Sequence, residues 1–477
     1  MTRTSISAPH IIAFQDGSHR HLRDGVVVWE DDRILHVGKS FEGEVDRHID
    51  ATGCVVTPGF INTHAHLAGS PLDKSFIEDR GSRQFYLSGL FEYLPVRNAA
   101  QDEAASHACL TYSMVELLRS GTTTVVELGT HGPFAVEAAG KAGLRLYAGQ
   151  GFRSGKWYSD DGRQVKYEWN EQAGRDGLRD AVQFIEEVSG TYNDRIRGIL
   201  SPYQIDTCTE ELLLESKAAA ASLGVPLTLH ASQSVNEFQE MTHRHGKTPI
   251  EWLDQIGFLG PEVLLGHAII IAGSSWANYH GDDLALLAAS GSSVAHCAWV
   301  FARRGIVMES FARYLERGVN MALGTDTCPQ SMLEAIRWTG VMSKVVDRRN
   351  DVATAADVFN AATIGGANAL QRDDLGRLAP GAKADMLIWQ GDSVFMTPLR
   401  DPIKNIVYSA QAEDLRTVII DGALCMDDRH IVGVDEDAAV HALQQSAERM
   451  WQTMGTVDWS GRSVDQLSPQ TFPEYRG

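Results

Sequence analysis

Eight short apolar runs, separated by stretches of helical character, constrain the fold of this chain more than any other feature in it. They lie at 57–66, 122–127, 144–149, 197–201, 225–230, 263–267, 293–296 and 319–326, with helical patterns such as 210–223 and 282–290 between them. Neighbouring parallel strands need a crossover long enough to hold a helix, so this regular alternation predicts an α/β protein, specifically a (β/α)8 TIM-type barrel. In such a barrel the catalytic groups gather where the strands end on their carboxyl side. Strand-like pieces with Asp16-Gly17 and Asp24-Gly25 turns fill the first sixty residues, and similar pieces return at 384–389, 406–408 and 417–422. The expectation is a small β-sandwich domain formed from both chain ends. Its segments are 1–58 plus 381–430, the barrel is 59–380, and 431–477 is a C-terminal helix and tail that could cover the barrel or a neighbouring subunit.

Charge and cysteine usage narrow the function classes. A formal net charge of -20 leaves no basic footprint for nucleic acid or an anionic membrane surface. No apolar run reaches bilayer length, and the N-terminus lacks the basic, apolar and small-residue succession of a secretory leader. Six cysteines without paired spacing suggest neither a disulfide framework nor a Cys-type zinc knuckle. The expected protein is a cytoplasmic homo-oligomer acting on a small-molecule substrate, with no nucleic-acid or membrane partner.

The first apolar run ends in His64-Ala-His66. On an extended strand, residues i and i+2 face the same way, so two imidazoles there can grip one ion. The same spacing recurs in His19-Arg-His21 and His243-Arg-His245, but those pairs are flanked by polar and charged residues, whereas Cys54 to Ile61 reads as a buried strand. His230 ends the fifth run and Asp326 the eighth. Three imidazoles and a carboxylate suit one divalent ion, Zn²⁺ above all, with Fe²⁺, Co²⁺ or Mn²⁺ also compatible, and leave a position for water. His267 and His296 end the sixth and seventh runs. Either one has the chemistry to hold the attacking water or polarise the substrate, while Asp326 can collect the water's proton.

Pro58-Gly59-Phe60-Ile61-Asn62-Thr63-His64-Ala65-His66, Gly324-Thr325-Asp326 and Leu375-Gly376-Arg377-Leu378-Ala379-Pro380-Gly381 resemble the amidohydrolase superfamily. The similarity is to its cytosine-deaminase-like and triazine-hydrolase-like branch, near the thiocarbamate and phenylurea hydrolases, and runs over nearly all of residues 8 to 425. It implies a barrel with a small sandwich, one metal on His64, His66, His230 and Asp326, and a strand-six histidine, His267, beside the metal-bound water or substrate. No lysine ends the fourth run, so the carbamylated lysine of two-metal branches has no counterpart.

Three departures from the branch bear on the substrate. The branch's deaminases carry His-x-x-Glu on strand five, where this chain has His230-Ala-Ser-Gln233, and an amide cannot deliver a proton. The Pro-His after strand four is Pro202-Tyr203, and the turn after His296 is the apolar Cys297-Ala-Trp299-Val-Phe301. Tyr203, His296 and Trp299 are the candidate substrate-binding residues, and His267, Asp326 and Gln233 the candidate catalytic ones. Aromatic borders at 85–93, 152–158 and 299–301 suggest a largely uncharged organic molecule, with Arg153, Lys156, Arg303 and Arg304 as optional anion anchors. Gln233 favours hydrolysis of an amide, urea, carbamate or thiocarbamate C–N bond. The alternative is deamination or dechlorination of an aminated heterocycle of triazine, pyrimidine or purine type, and a third class is a metal-binding barrel without turnover.

Overall fold

The computed structural model describes residues 2–78 and 81–475. The chain opens with strands β1 (Arg3–Gln15), β2 (Ser18–Glu30), β3 (Arg33–Gly38), β4 (Arg47–Asp50) and β5 (Cys54–Pro58). β6 (Phe60–Ala65), β7 (Thr122–Glu127) and β8 (Arg145–Ala148) follow, then a hairpin of β9 (Gly155–Tyr158) and β10 (Lys166–Trp169). Next come β11 (Ile196–Gly198), β12 (Leu227–Ala231), β13 (Val263–His267), β14 (Ser293–His296) and β15 (Asn320–Leu323), with β16 (Met386–Gln390), β17 (Leu415–Ile420), β18 (Ala423–Asp427) and β19 (His430–Ile431) closing the order.

Both chain ends build one nine-stranded sheet, in which β5 pairs with β1 on one side and with β16 on the other. The eight parallel strands form two four-stranded sheets, β11-β8-β7-β6 and β12-β13-β14-β15. Isolated bridges link the two sheets, Leu200 to Leu227 and Gln204 to His230 at one seam and Ala65 to Asp326 at the other. These strands are buried almost without interruption, as strands covered on both faces must be. The expected piece at 406–408 is not a strand. It is the last turn of helix Pro402–Tyr408, because Asp401 caps the Lys404 N–H and Pro402 takes the first helical turn, where its missing N–H costs nothing.

The C-terminal helix Glu436–Val457 packs on its own chain. Leu443, Ala447, Met450 and Met454 share a core with Leu72, Phe76, Tyr93 and Val96.

Candidate active site and metal centre

The motif 58–66 positions its histidines through a clamp on the strand at the far seam. Asn62 Nδ2 donates to Thr325 Oγ1 at 2.7 Å, and Asn62 Oδ1 accepts the Thr325 N–H at 3.1 Å. The Asp326 N–H then donates to the His64 carbonyl and the His66 N–H to the Asp326 carbonyl, both at 2.8 Å. Asp326 holds φ +58°, and Ser232 (+55°) and Ala268 (+48°) adopt similar angles just beyond His230 and His267. Left-handed backbone at three non-glycine residues costs of order a kcal/mol each and persists only where the surroundings enforce it.

These constraints bring five of the side chains singled out in the sequence into one cluster. Ligand atoms of His64, His66 and Asp326 lie within 4.8 Å of one another, as do those of His64, His230 and His267. His66 Nε2 is 3.1 Å from His230 Nε2 and 3.5 Å from Asp326 Oδ1, which is 3.7 Å from His64 Nε2. His230 is oriented through Nδ1, which bonds the Tyr203 carbonyl. His64 is completely buried, and neither of its ring nitrogens has a hydrogen-bond partner; the same holds for His267. Buried polar atoms are rarely left so, and four nitrogens orphaned at one point fit an ion-binding centre. Burial, followed by crowding from the other imidazoles, holds His64 well below its ordinary pKa. Burial above all brings His66 and His230 to about 4. At neutral pH the rings are therefore uncharged, which is the form that ligates a cation.

Gly266 on β13 makes room for His64. A Cβ there would come within 2.4 Å of His64 Cε1. The clash lets the backbone approach explain a glycine immediately before the strand-ending His267.

A cavity of about 670 Å³ opens onto this cluster. Its lining includes His66, His230 and Asp326 together with Tyr203 and Gln233. Arg153 also faces it, with its guanidinium 5.2 Å from the Tyr203 ring and 6.0 Å from that of Trp157. Arg304 lines it as well, while Lys156 is exposed and Arg303 bonds Thr327 Oγ1 at 2.9 Å. Two of the expected substrate contacts lie elsewhere. Trp299 packs on Trp338 with ring centroids 5.1 Å apart, and His296 is buried beside Phe311, 6.0 Å away. Phe301 lies against His267 at 4.8 Å.

Sequence reasoning gave no role to several cavity residues, Glu127, Arg97 and Gln204 among them. Glu127 ends β7 and lines the cavity; its oxygens accept the N–H groups of Leu67 at 2.7 Å and Gly129 at 3.0 Å, while burial lifts its pKa to about 8. An acid closing an apolar strand run was the available signal. Behind Gln204 sits Glu237, whose place in Ser234-Val-Asn-Glu237 carries the capping-box spacing of a helix start.

The amidohydrolase family model matches residues 55–425. The chain belongs to the amidohydrolase family. A 5'-deoxyadenosine deaminase of Methanosarcina mazei is 29% identical to this amidohydrolase over 435 residues, covering 90% of this chain and 94% of the relative. A 5-methylthioadenosine/S-adenosylhomocysteine deaminase of Thermococcus kodakarensis is 31% identical over 414 residues, covering 84% and 89%. Among solved structures, an adenosine deaminase from Xanthomonas campestris with bound zinc matches with a TM-score of 0.81 at 20% identity, over 94% of this chain and 98% of that one. A triazine hydrolase from Arthrobacter aurescens matches at 0.80 and 22%, over 94% and 100%. This amidohydrolase is thus an enzyme with a histidine-based metal-binding cluster. Among the described residues, no helix is long and apolar enough to cross a membrane.

Proposed function

We propose that this amidohydrolase removes the amino group of an aminated heterocycle, with an adenine nucleoside as the leading substrate class, using one zinc ion. Of the two reaction classes read from the sequence, the deaminase similarity spanning nine-tenths of the chain favours the heterocycle over the carbonyl-type C–N bond. The parallel strands are read as a closed barrel spanning 59–380, with 1–58 plus 381–430 as its companion domain. A volume of about 670 Å³ lies within the range that encloses a nucleoside-sized ligand.

His64, His66, His230 and Asp326 would hold the ion, which supplies a water acidic enough to attack at neutral pH. Asp326 is placed to take the proton of that water on a carboxylate oxygen and return it to the departing amine, so that water and the amino compound give the oxo compound and ammonia. His267, kept neutral by burial, offers a ring nitrogen to the developing oxygen. Gln233 orients the ring by hydrogen bonding and carries no proton. Tyr203, with its ring 6.1 Å from that of His66, supplies an aromatic face for the heterocycle.

The test is a product panel on zinc-loaded protein. 5'-Deoxyadenosine, 5'-methylthioadenosine and an aminotriazine are expected to release ammonia, whereas amide, urea and thiocarbamate compounds are not expected to release amine. Amine release from the second group with no ammonia from the first would overturn the proposal.

A further inference from the structure

The cavity wall beside His230 is organised around one buried carboxylate. Glu237, only 1% exposed, accepts the Ser232 N–H on Oε1. Its Oε2 accepts the Gln233 N–H at 3.1 Å and the side-chain Nε2 of Gln204 at 2.6 Å. Gln204 is brought there by a backbone bridge to His230, and both glutamines line the cavity. Two glutamines thus stand beside the histidine cluster and donate to the same oxygen atom, Gln204 through its side-chain amide and Gln233 through its backbone N–H.

They differ in what they can offer. A carboxylate accepts hydrogen bonds, so the NH₂ of Gln204 turns toward Glu237 and the atom left for the cavity is its carbonyl Oε1. Gln233 is tied only through its backbone, and its Oε1 lies buried without a partner. One amide has fixed polarity and the other is free to turn.

A second acid bears on which carboxyl is charged. Asp206 is also buried, and its Oδ2 accepts Trp157 Nε1 at 2.9 Å and the Tyr167 hydroxyl at 2.7 Å, while Oδ1 has no partner. Burial raises the pKa of both acids, and at Glu237 the Asp206 charge adds to it. Three N–H donors converge on Glu237 across both of its oxygens. Two donors reach Asp206, both on a single oxygen. Backbone N–H groups fix both Glu237 oxygens as acceptors, which favours its charged form against the effect of burial and draws the Gln204 NH₂ toward Oε2. Glu237 stays an acceptor and keeps Gln204 pointing one way.

We propose that Gln204, locked in orientation by Glu237, selects substrate by accepting a hydrogen bond from an N–H donor on the edge of the heterocycle. The inference rests on the aminated-heterocycle reading above and adds the group that enforces it. A buried acceptor left without its donor is costly, so the same ring with its amino hydrogens replaced by methyl groups should be rejected. Gln204 is a binding residue in this scheme, and Glu237 a positioning residue acting through it.

The probes are 5'-deoxyadenosine and its N6,N6-dimethyl analogue, with dissociation constants measured by calorimetry on zinc-loaded protein and ammonia release followed in parallel. The unsubstituted enzyme is expected to prefer the amino ligand by about ten- to a hundredfold. In Gln204→Met that preference should fall to within about threefold through weaker binding of the amino ligand. Glu237→Gln should lower it too, because the new amide can donate to Gln204 Oε1 and release its orientation. If Gln204→Met is insoluble, Glu237→Gln carries the test, since a merely structural role would not alter a ratio of two ligands. Ammonia release with an unchanged preference in the soluble variants overturns this assignment alone. No binding of either probe and no ammonia overturns the proposed function, and this assignment with it.

Discussion

The two ends of the parallel strands hold contrasting kinds of buried polarity. At the start of β8, fully buried Arg145 donates to Asp385 at 3.2 and 3.3 Å and also pairs with Asp421, which lies 3.3 Å from Lys383. Arg372 pairs with Asp374 at 2.7 Å nearby, and Arg33 reaches the same carboxylate at 2.9 Å. Both are junctions between the nine-stranded sheet and the rest of the chain, built by matching opposite charges. At the carboxyl ends of the strands, neutral imidazoles crowd together with nitrogens that find no partner. One end balances its buried charges against one another, although Arg145 Nη1 and Asp421 Oδ2 are left without a hydrogen bond, and the other gathers neutral ligating nitrogens that lack one. Buried charges matched by opposite charges support the fold, whereas uncharged ligating groups gathered at strand ends mark the chemistry.

Three measurements can break or sharpen this contrast. The largest effect is expected from His64→Ala, which removes the residue common to both ligand groups. Turnover should fall on the order of a thousandfold or more, with loss of bound metal by elemental analysis. Full activity with full metal content would refute the site. Next comes Arg145→Met, which takes the cation from buried Asp385 and leaves Asp421 with Lys383 alone; urea unfolding should report a loss of about 3–5 kcal/mol. Metal content per folded molecule should stay as it was, and a matching loss of metal would mean that the two ends are not separable.

The smallest effect concerns pH. Burial pushes the Asp374 carboxyl up, but the hydrogen bond and charge of Arg372, with the charge of Arg33, outweigh it and hold the pKa at about 2, below an ordinary 3.8. The unfolded chain therefore binds the proton more readily, and the stabilisation is present above pH ~4 and fades as pH falls through ~2. It amounts to about 2 kcal/mol. Comparing unfolding of the protein and of Asp374→Asn, the gap should be widest at pH 5 and nearly closed at pH 2; a gap constant with pH would remove the charge argument.

Much of this was legible in the sequence because apolar periodicity is local. The runs at 122–127, 263–267 and 293–296 are strands with those very bounds. The clustering of His64, His66, His230 and Asp326 was readable because such folds bring functional side chains together at their strand ends. The failures share a physical origin. Ile406-Val-Tyr408 has strand-like composition, but its conformation is decided by a cap several residues upstream. Trp299 follows a strand-ending histidine yet turns to Trp338, a choice made by packing between helices. Gln204 and Glu237 are 33 positions apart, and nothing in either neighbourhood announces their hydrogen bond.

The helix Glu436–Val457 carries a consequence for the order in which the enzyme comes into being. It shares a core with Tyr93, and Tyr93 and Arg97 line the cavity. His64, His66, His230 and Asp326 are all synthesised well before this helix. During translation the histidine cluster can therefore assemble first, and this part of the cavity wall gains one of its supports from a helix made later.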